Sequence, residues 1–312
     1  MSFPMQNSSN NILITGSTGQ VGGELLHALA PQTAILGEIH APTRAQLDLA
    51  DPASLRAYIR FTKPRWIVNP AAYTAVDKAE SEPELAHAIN AEAPRILGEE
   101  ARKIGAAVIH FSTDYVFDGS GTPPRNESDP TNPLNVYGAT KLAGEQALAA
   151  TEAAHIILRT SWVYGATGKN FLLTILRLAA QKPELKIVSD QHGAPTTSRD
   201  LARLAAHIVT HCETEASARR ITLNSVIAPL AGVYHAAAQG ETTWHGFASA
   251  ALQLSKIPNP ATLLPIPTAG YPTPARRPLN SRLNCDKLYR AFGFRLPPWQ
   301  ISLAAVLAEL NA

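Results

Sequence analysis

A short apolar strand, a glycine-rich turn and a helix, in that order, constrain the fold of this chain more than any other feature. The strand is predicted at residues 11–15, the turn at Gly16–Gly23 and the helix at Glu24–Ala30. This order is typical of the first βαβ unit of a dinucleotide-binding sheet, in which the helix N-terminus attracts a pyrophosphate.

The glycines of the turn have different expected roles. Gly16 permits the tight turn, Gly19 lets the backbone approach the pyrophosphate, and either Gly22 or Gly23 lets the helix pack closely on the strand. Their spacing is G-x-x-G-x-x-G rather than the commoner G-x-G-x-x-G. The predicted cofactor contacts of this loop are Gly16, Thr18, Gly19, Gln20, Val21 and Gly22.

The segment after the second strand indicates which nicotinamide cofactor binds. That strand is predicted near Ala34–Ala41, and Arg44 follows it where an acidic residue would otherwise bind the ribose 2′-hydroxyl. An arginine here favours binding of the 2′-phosphate of NADPH, and NADH is the alternative cofactor. Arg44 could also be an exposed loop residue with no part in cofactor binding. Asp48 and Leu49 come next and are expected beside the adenine.

Strands and helices alternate along the rest of the chain, which predicts an α/β fold with a Rossmann-type doubly wound parallel sheet and a small C-terminal α/β substrate lobe. We expect a flexible N-terminal extension at 1–10, an NAD(P)-binding core at 11–165, and a mixed region at 166–312 that returns to the core and forms the lobe. Further strands are predicted at 66–69, 106–111, 155–159, 185–188 and 232–236. Further helices are predicted at 80–103 (broken or bent near Pro83 and Pro94), 135–150, 171–180, 198–211, 244–255 and 299–310.

Charge and cysteine content exclude several classes of protein. The 312 residues have a net charge of +2, which gives no electrostatic reason to expect a nucleic-acid partner. Cys212 and Cys285 match no metal-binding spacing, and no apolar run is long enough for a membrane span. The sequence therefore predicts a cytoplasmic enzyme with no membrane partner and no metal ligands.

Tyr137 and Lys141 are the predicted catalytic pair. They are separated by four positions on a predicted helix and so share one face, where the ammonium is expected to lower the pKa of the phenol. Thr113 lies at the end of the fourth strand and could donate a second hydrogen bond to a substrate carbonyl. A phenol so placed can protonate a ketone as a nicotinamide delivers hydride.

Several longer motifs make the chain similar to the extended short-chain dehydrogenase/reductase family from Asn11 to about Leu310. Within that family it most resembles the reductases of dTDP-4-dehydro-β-L-rhamnose. The stretches that carry the resemblance are Gly16–Gly22, Asn69–Glu82, Phe111–Phe117, Pro133–Glu145, Arg159–Tyr164, Asp190–Thr196 and Tyr271–Leu283.

The resemblance implies reduction of the C4 ketone to dTDP-β-L-rhamnose, a precursor of cell-surface polysaccharide. It implies that Tyr137 donates the proton and that Lys141 holds the nicotinamide ribose. It also assigns Thr113, Asp114 and Trp162 to the sugar, and Ala72, Tyr73 and Thr74 to the cofactor.

Arg276 and Arg277 are our own candidates for the substrate diphosphate, because guanidinium groups suit phosphate oxygens. The structural alternative, an arginine pair that fixes a proline-rich loop to the core, has equal weight.

Some members of the family form dimers through a metal held by acidic residues. The matching positions here are Glu24, Arg199 and Glu309, and an arginine is not a metal ligand. A homodimer is therefore expected without that metal bridge, unless the neighbouring Asp200 replaces Arg199.

Two alternative functions remain. One is another sugar-nucleotide epimerase or reductase of the extended family. The other is a non-catalytic regulatory subunit that resembles that of methionine adenosyltransferase. Retention of the Tyr137, Lys141 and Thr113 set favours an enzyme. His110 is interpreted as an element-end residue, and Trp244 is given no chemical role.

Overall fold

The computed structural model describes residues 10–32 and 36–311. The extension predicted at 1–10 lies outside the described residues except for Asn10, and so does part of the predicted second strand. The remainder of that strand forms only at Ile39–His40.

A six-stranded parallel sheet forms the centre of the described chain and confirms the predicted fold class. Its order is β10-β5-β4-β3-β1-β2, and every adjacent pair runs parallel. The strands of this sheet are β1 (Ile12–Ile14), β2 (Ile39–His40), β3 (Trp66–Asn69), β4 (Ala107–Thr113), β5 (Ala154–Thr160) and β10 (Gly232–His235). The order changes direction between β1 and β3, which is where ligands bind in open sheets of this type.

Helices cover both faces of the sheet, because its inner strands are apolar on both sides. The helices of the described residues are α1 (Gln20–Leu29), α2 (Pro52–Thr62), α3 (Val76–Ala79), α4 (Pro83–His87), α5 (Ala93–Ile104), α6 (Val136–Ala150), α7 (Phe171–Ala179), α8 (Ser198–Arg219), α9 (Leu223–Ile227), α10 (Trp244–Leu254), α11 (Asp286–Phe292) and α12 (Trp299–Leu310). One face of the sheet packs against α1 and α8, and the other against α2, α5 and α6.

The remaining strands form three two-stranded sheets in the second half of the chain, two parallel and one antiparallel. They are β6 (Val163–Tyr164), β7 (Glu184–Val188), β8 (His192–Gly193), β9 (Thr196–Thr197), β11 (Thr242–Thr243) and β12 (Thr262–Ile266). Helices α7, α10 and α12 pack around a separate apolar cluster there that includes Phe247 and Leu303. Strand β10 leaves this region and pairs with β5 in the main sheet.

The helical stretch predicted at 80–103, broken or bent near Pro83 and Pro94, is interrupted in the structure as well. It is divided into α4, a π-helical turn at Ala88–Glu92 and α5. Pro83 and Pro94 each occupy the first turn of a helix, where a missing backbone N–H costs no hydrogen bond. In the described part of the chain, no helix has the length and apolar character needed to cross a membrane.

Candidate active site

A cavity of about 720 Å³ opens at the carboxyl ends of β1, β3, β4 and β5. The glycine loop after β1 lines one end, and Trp162 and Trp244 line the other. Between them lie Thr113, Tyr137 and Lys141. The topology therefore brings the predicted cofactor loop and the predicted catalytic residues to the same site.

The glycine loop has the shape that a dinucleotide pyrophosphate requires. Gly16 has a φ of +59°, which favours glycine. A methyl group on Gly22 would collide with the carbonyl oxygen of Gly16, whereas one on Gly23 would lie 3.7 Å from its nearest neighbour. The close helix–strand packing thus depends on Gly22. Gly19 caps α1 without a side-chain hydrogen bond, so the first N–H groups of the helix are available to an anion.

Arg44, Asp48 and Leu49 line the opposite side of the same end of the cavity. The guanidinium of Arg44 is exposed and lies 3.9 Å from the carboxylate of Asp48. Ser17 donates a hydrogen bond to the carbonyl of Pro42 at 3.1 Å and so connects the glycine loop to the segment after β2. The arginine can reach a phosphate at this end without breaking a buried contact.

The segment after β3 contributes Ala72 and Thr74 to the cavity, but the side chain of Tyr73 lies elsewhere. The Tyr73 hydroxyl donates to Glu82 at 2.6 Å. Its backbone N–H and carbonyl are both bound by the Asn90 side chain, which belongs to the π-helical turn. Tyr73 therefore shapes this segment through its backbone, and its contact with the cofactor stays a prediction.

Tyr137 lies in the first turn of α6, which Asn135 caps through Gly138 N–H. Gly138 lets the helix lie directly on the backbone of Tyr115, since a methyl group there would collide with the Tyr115 carbonyl oxygen. The Tyr115 ring packs edge-on against the Tyr137 ring, 5.7 Å between centroids. These contacts fix the phenol at the cavity wall.

The expected lowering of the Tyr137 pKa is wrong for this structure. Burial raises the pKa of the phenol to about 12, and a hydrogen bond with Thr113 opposes that shift. The Lys141 ammonium donates instead to the carbonyl of Phe111 at 2.6 Å and lies 3.2 Å from Nε2 of His110. The phenol consequently holds its proton at neutral pH, as a proton donor must.

Lys141 is almost fully buried, with 1% of its surface exposed. Burial lowers the pKa of its ammonium to about 8, while the negative charge of Glu145 raises it. Glu145 lies one turn further along α6 and forms a buried ion pair with Arg159 at 2.6 Å. It also accepts a hydrogen bond from Ser112, the residue before Thr113.

Asp114 is buried directly after β4. One of its carboxylate oxygens accepts from the Thr113 hydroxyl at 3.1 Å, and the other has no partner within ordinary hydrogen-bond geometry among the described residues. Burial raises the pKa of this carboxyl to about 7, and interactions with the Ser281 and Thr113 side chains partly offset that rise. An unpaired polar atom at the cavity is suited to a hydroxyl group of a ligand.

The aromatic end of the cavity consists of two stacked indoles. Trp162 has a φ of +49°, and its ring stacks on Trp244 with centroids 3.8 Å apart. Gln191 accepts a hydrogen bond from the indole N–H of Trp244 at 3.0 Å. Trp244, which the sequence analysis set aside, is thus part of the site. The only sequence signal was its position at the start of a helix, which does not indicate a pocket.

The structure separates the two candidate diphosphate residues from the cavity. Arg277 forms an ion pair with Asp77 at 2.8 Å, and Asn135 donates to the backbone carbonyl of Arg276 at 2.8 Å. The side chain of Arg276 is exposed, and neither residue lines the cavity. These contacts agree with the structural alternative, in which the pair fixes the loop to the core.

Arg199 lies between the carboxylates of Glu24 and Glu309, the two acids considered above as possible metal ligands. It contacts Glu309 at 2.6 Å and Glu24 at 3.3 Å. Asp200 does not take its place, because its buried carboxylate accepts hydrogen bonds from Thr197 and Ser302. A guanidinium thus neutralises both acids and joins α1 to α12.

Comparison with known proteins identifies the family. The family model described as the RmlD substrate binding domain matches residues 10–312. The chain is similar to the dTDP-4-dehydrorhamnose reductase of Escherichia coli strain K12, with 46% identity over 96% of this chain and 98% of that protein.

Solved structures agree. Crystal structures of dTDP-4-dehydrorhamnose reductases from Clostridium acetobutylicum and, in complex with NADP, from Bacillus anthracis both superpose with a TM-score of 0.84. Their identities are 34% and 31%, over 97% and 96% of this chain and 100% and 99% of theirs. The chain therefore belongs to the dTDP-4-dehydrorhamnose reductase family that the RmlD substrate binding domain model describes.

Proposed function

We propose that the chain reduces the C4 ketone of dTDP-4-dehydro-β-L-rhamnose to dTDP-β-L-rhamnose, with NADPH as the reductant. The observation that carries this proposal is the convergence of Tyr137, Thr113 and Lys141 on one cavity with the glycine loop. Relatives at 44–46% identity bear the name of this activity, and one solved relative holds NADP.

The residues have distinct parts in the proposed mechanism. Bound NADPH supplies the hydride. The uncapped N-terminus of α1 binds the pyrophosphate, and Arg44 binds the 2′-phosphate. Lys141 orients the nicotinamide ribose from its buried position beside Phe111.

The chemistry at the carbonyl oxygen falls to Tyr137 and Thr113. The Tyr137 hydroxyl donates its proton to O4 of the sugar, and its raised pKa keeps that proton in place until charge develops on the oxygen. The Thr113 hydroxyl, which donates to Asp114 in this structure, turns its proton to the same oxygen and stabilises it by a hydrogen bond. We place the sugar against Trp162, whose apolar ring suits a deoxyhexose, with a hydroxyl near Asp114.

The decisive assay is NADPH oxidation with enzymatically generated dTDP-4-dehydrorhamnose, with GDP- and UDP-linked 4-keto sugars as controls. We expect turnover with the dTDP substrate and formation of dTDP-β-L-rhamnose. Faster turnover of a GDP or UDP sugar would reassign the substrate. Binding of NADPH without any turnover would instead favour the non-catalytic alternative.

We also propose that the enzyme works in the cytoplasm as a homodimer that needs no bridging metal. The Arg199 ion pairs with Glu24 and Glu309 support this, since they neutralise both carboxylates. Light scattering with and without a chelator tests it. A dimer that dissociates on chelation would contradict the proposal.

A further inference from the structure

A buried chain of polar groups connects the glycine loop to Lys141 beneath the floor of the cavity. The hydroxyl of Thr15 lies 2.5 Å from Oδ1 of Asn69, and Nδ2 of Asn69 lies 2.9 Å from Nδ1 of His110. Nε2 of His110 lies 3.2 Å from Nζ of Lys141. Each member is at most 2% exposed, so water does not complete these contacts.

His110 belongs to the interior of β4, so its interpretation as an element-end residue is wrong. Its ring bridges β3 and α6, and burial together with the Lys141 charge holds its pKa well below the usual range. The ring is therefore neutral and carries one proton. One ring nitrogen must donate and the other must accept.

With a neutral ring, two arrangements match a donor with an acceptor at each of these three contacts. With the Asn69 amide as placed, Asn69 donates to Nδ1, the ring proton is on Nε2, and Lys141 must accept it as a neutral amine. If the amide is rotated by 180°, the Nδ1 proton is donated to Asn69, and Nε2 accepts from a Lys141 ammonium. The two amide orientations are equivalent in shape, so hydrogen bonding alone selects between them.

We propose that His110 is a positioning residue whose tautomer switches with the protonation state of Lys141. The Nδ1–H tautomer is complementary to the ammonium, and the Nε2–H tautomer is complementary to the amine. Only the meaning of this switch for catalysis rests on the proposed function.

The switch reaches the cofactor loop through Thr15. In the amine arrangement the Thr15 hydroxyl donates to Asn69. In the ammonium arrangement it accepts from Asn69, so its proton is free to point into the cavity that Thr15 lines. Protonation of Lys141 thereby presents an additional donor to the cavity at Thr15, the residue before the glycine loop.

Several charged and titratable groups surround the switch, and of these Glu145 favours the ammonium form of Lys141. Glu145 on α6 acts on Lys141 and is paired with Arg159 of β5. His155 of β5 acts on His110 in the same direction as Lys141, against protonation of the ring. Tyr137 lies one turn before Lys141, and its pKa of about 12 keeps its hydroxyl protonated while Lys141 titrates.

Long-range ¹H–¹⁵N correlation spectra of the full chain with ¹⁵N-labelled histidine test the proposal directly. The His110 signal is assigned by its loss in His110→Gln. From pH 6 to pH 10 we expect it to change from the Nδ1–H to the Nε2–H pattern, with a midpoint near pH 8, the pKa of Lys141. Lys141→Met should abolish the change, whereas Lys186→Met, at an exposed position of β7, should leave it intact.

The pH titration of the His110 signal in the wild-type protein tests the proposal even if a variant fails to fold. A His110 ring that keeps one tautomer throughout, or that becomes imidazolium, overturns the proposal. If the tautomer change persists in Lys141→Met, the titration of a group other than Lys141 causes it. Because these spectra need no substrate, they are independent of the turnover assay, and either experiment can fail alone.

Kinetics provide a second readout. His110→Gln keeps an amide that can donate to Lys141 or accept from it, whereas His110→Leu has neither ability. We expect kcat to be roughly tenfold lower for His110→Leu than for His110→Gln at equal melting temperature. Equal rates would show that the ring serves only packing.

Discussion

The indole of Trp162 is stacked between Trp244 and the backbone of Gly193. Its ring centroid is 3.8 Å from that of Trp244, and a methyl group on Gly193 would lie 2.7 Å from its Cε2 atom. The left-handed backbone of Trp162 is held by this arrangement, because a non-glycine residue at positive φ persists only where its surroundings fix it. The orientation of the Trp162 ring, against which we place the sugar, thus depends on the absence of a side chain at Gly193.

Replacement of Gly193 by alanine should displace the Trp162 ring. We expect KM for the sugar nucleotide to increase at least about tenfold, a loss of about 1.4 kcal/mol of binding, with the Kd for NADPH unchanged. Gly270→Ala is the matched control, since its methyl group would meet only ordinary contacts at 3.7 Å or more. An equal KM in both variants would remove Trp162 from substrate recognition.

Replacement of Tyr137 by phenylalanine should remove the proton donor and keep the ring that packs on Tyr115. We expect kcat to fall about 10²- to 10⁴-fold, while NADPH fluorescence titration still shows binding. Turnover near the wild-type rate would exclude Tyr137 from proton transfer.

Replacement of Arg44 by alanine should discriminate between the two nicotinamide cofactors. The side chain is exposed, so we expect a moderate loss of NADPH affinity, about tenfold, and little change for NADH, which lacks the 2′-phosphate. The measurement is the Kd of each cofactor in wild type and variant. Equal losses would contradict the assignment of Arg44 to the 2′-phosphate.

Two adjacent glycines of the cofactor loop, Gly22 and Gly23, should differ sharply in how well they tolerate replacement by alanine. Gly22→Ala introduces a collision with the Gly16 carbonyl, so we expect loss of NADPH binding and a lower melting temperature. Gly23→Ala meets ordinary van der Waals space and should retain both properties. Calorimetric titration and thermal denaturation of the pair provide the comparison, and similar behaviour of the two variants would be the contrary result.

Stability should depend on pH through Asp114 with a sign opposite to that of a surface carboxylate. The folded-state pKa of Asp114, about 7, exceeds the unfolded value near 3.8. The folded chain therefore binds the proton more tightly, and its contribution to stability is lost as the pH rises from about 4 to 7. Asp114→Asn should raise the melting temperature at pH 8 more than at pH 4.5.

The control for that experiment is Asp118, whose pKa is lowered by hydrogen bonds from Ser120. Its contribution is present above the unfolded pKa, so Asp118→Asn should lower the melting temperature at pH 8. For Asp114 each pKa unit corresponds to about 1.4 kcal/mol, which gives a change of a few degrees in its melting temperature. Changes of the same sign in both variants would refute the burial argument for Asp114.

Local patterns in the sequence were sufficient to predict the parallel sheet and the residues that line the cavity next to the glycine loop. The glycine spacing, the buried strand before Thr113 and the Tyr137 helix each depend on neighbouring residues, so their periodicity predicts them. Trp244 could not be predicted in the same way, because it reaches Trp162 only through the folding of the second half of the chain. The direction of the Tyr73 side chain could not be predicted either, because contacts with Glu82 and Asn90, further along the chain, determine it.

The pKa of Tyr137 was predicted with the wrong sign for a related reason. Helical spacing places Lys141 on the same face, but the hydrogen bonds of the ammonium are made with β4, which lies outside the local sequence. Burial then outweighs the charge that the spacing suggested. Distances along a helix therefore predicted the neighbours of the phenol but not its electrostatic environment.

The pairing of β10 with β5 has a consequence for how the protein is made. During synthesis the first five strands of the sheet emerge before residue 161, but the second partner of β5, after β4, is Gly232–His235. For about seventy residues of elongation, which is several seconds at ordinary ribosome speeds, β5 presents an open edge to other nascent chains. The catalytic half of the protein is thus complete in sequence well before it is protected from aggregation.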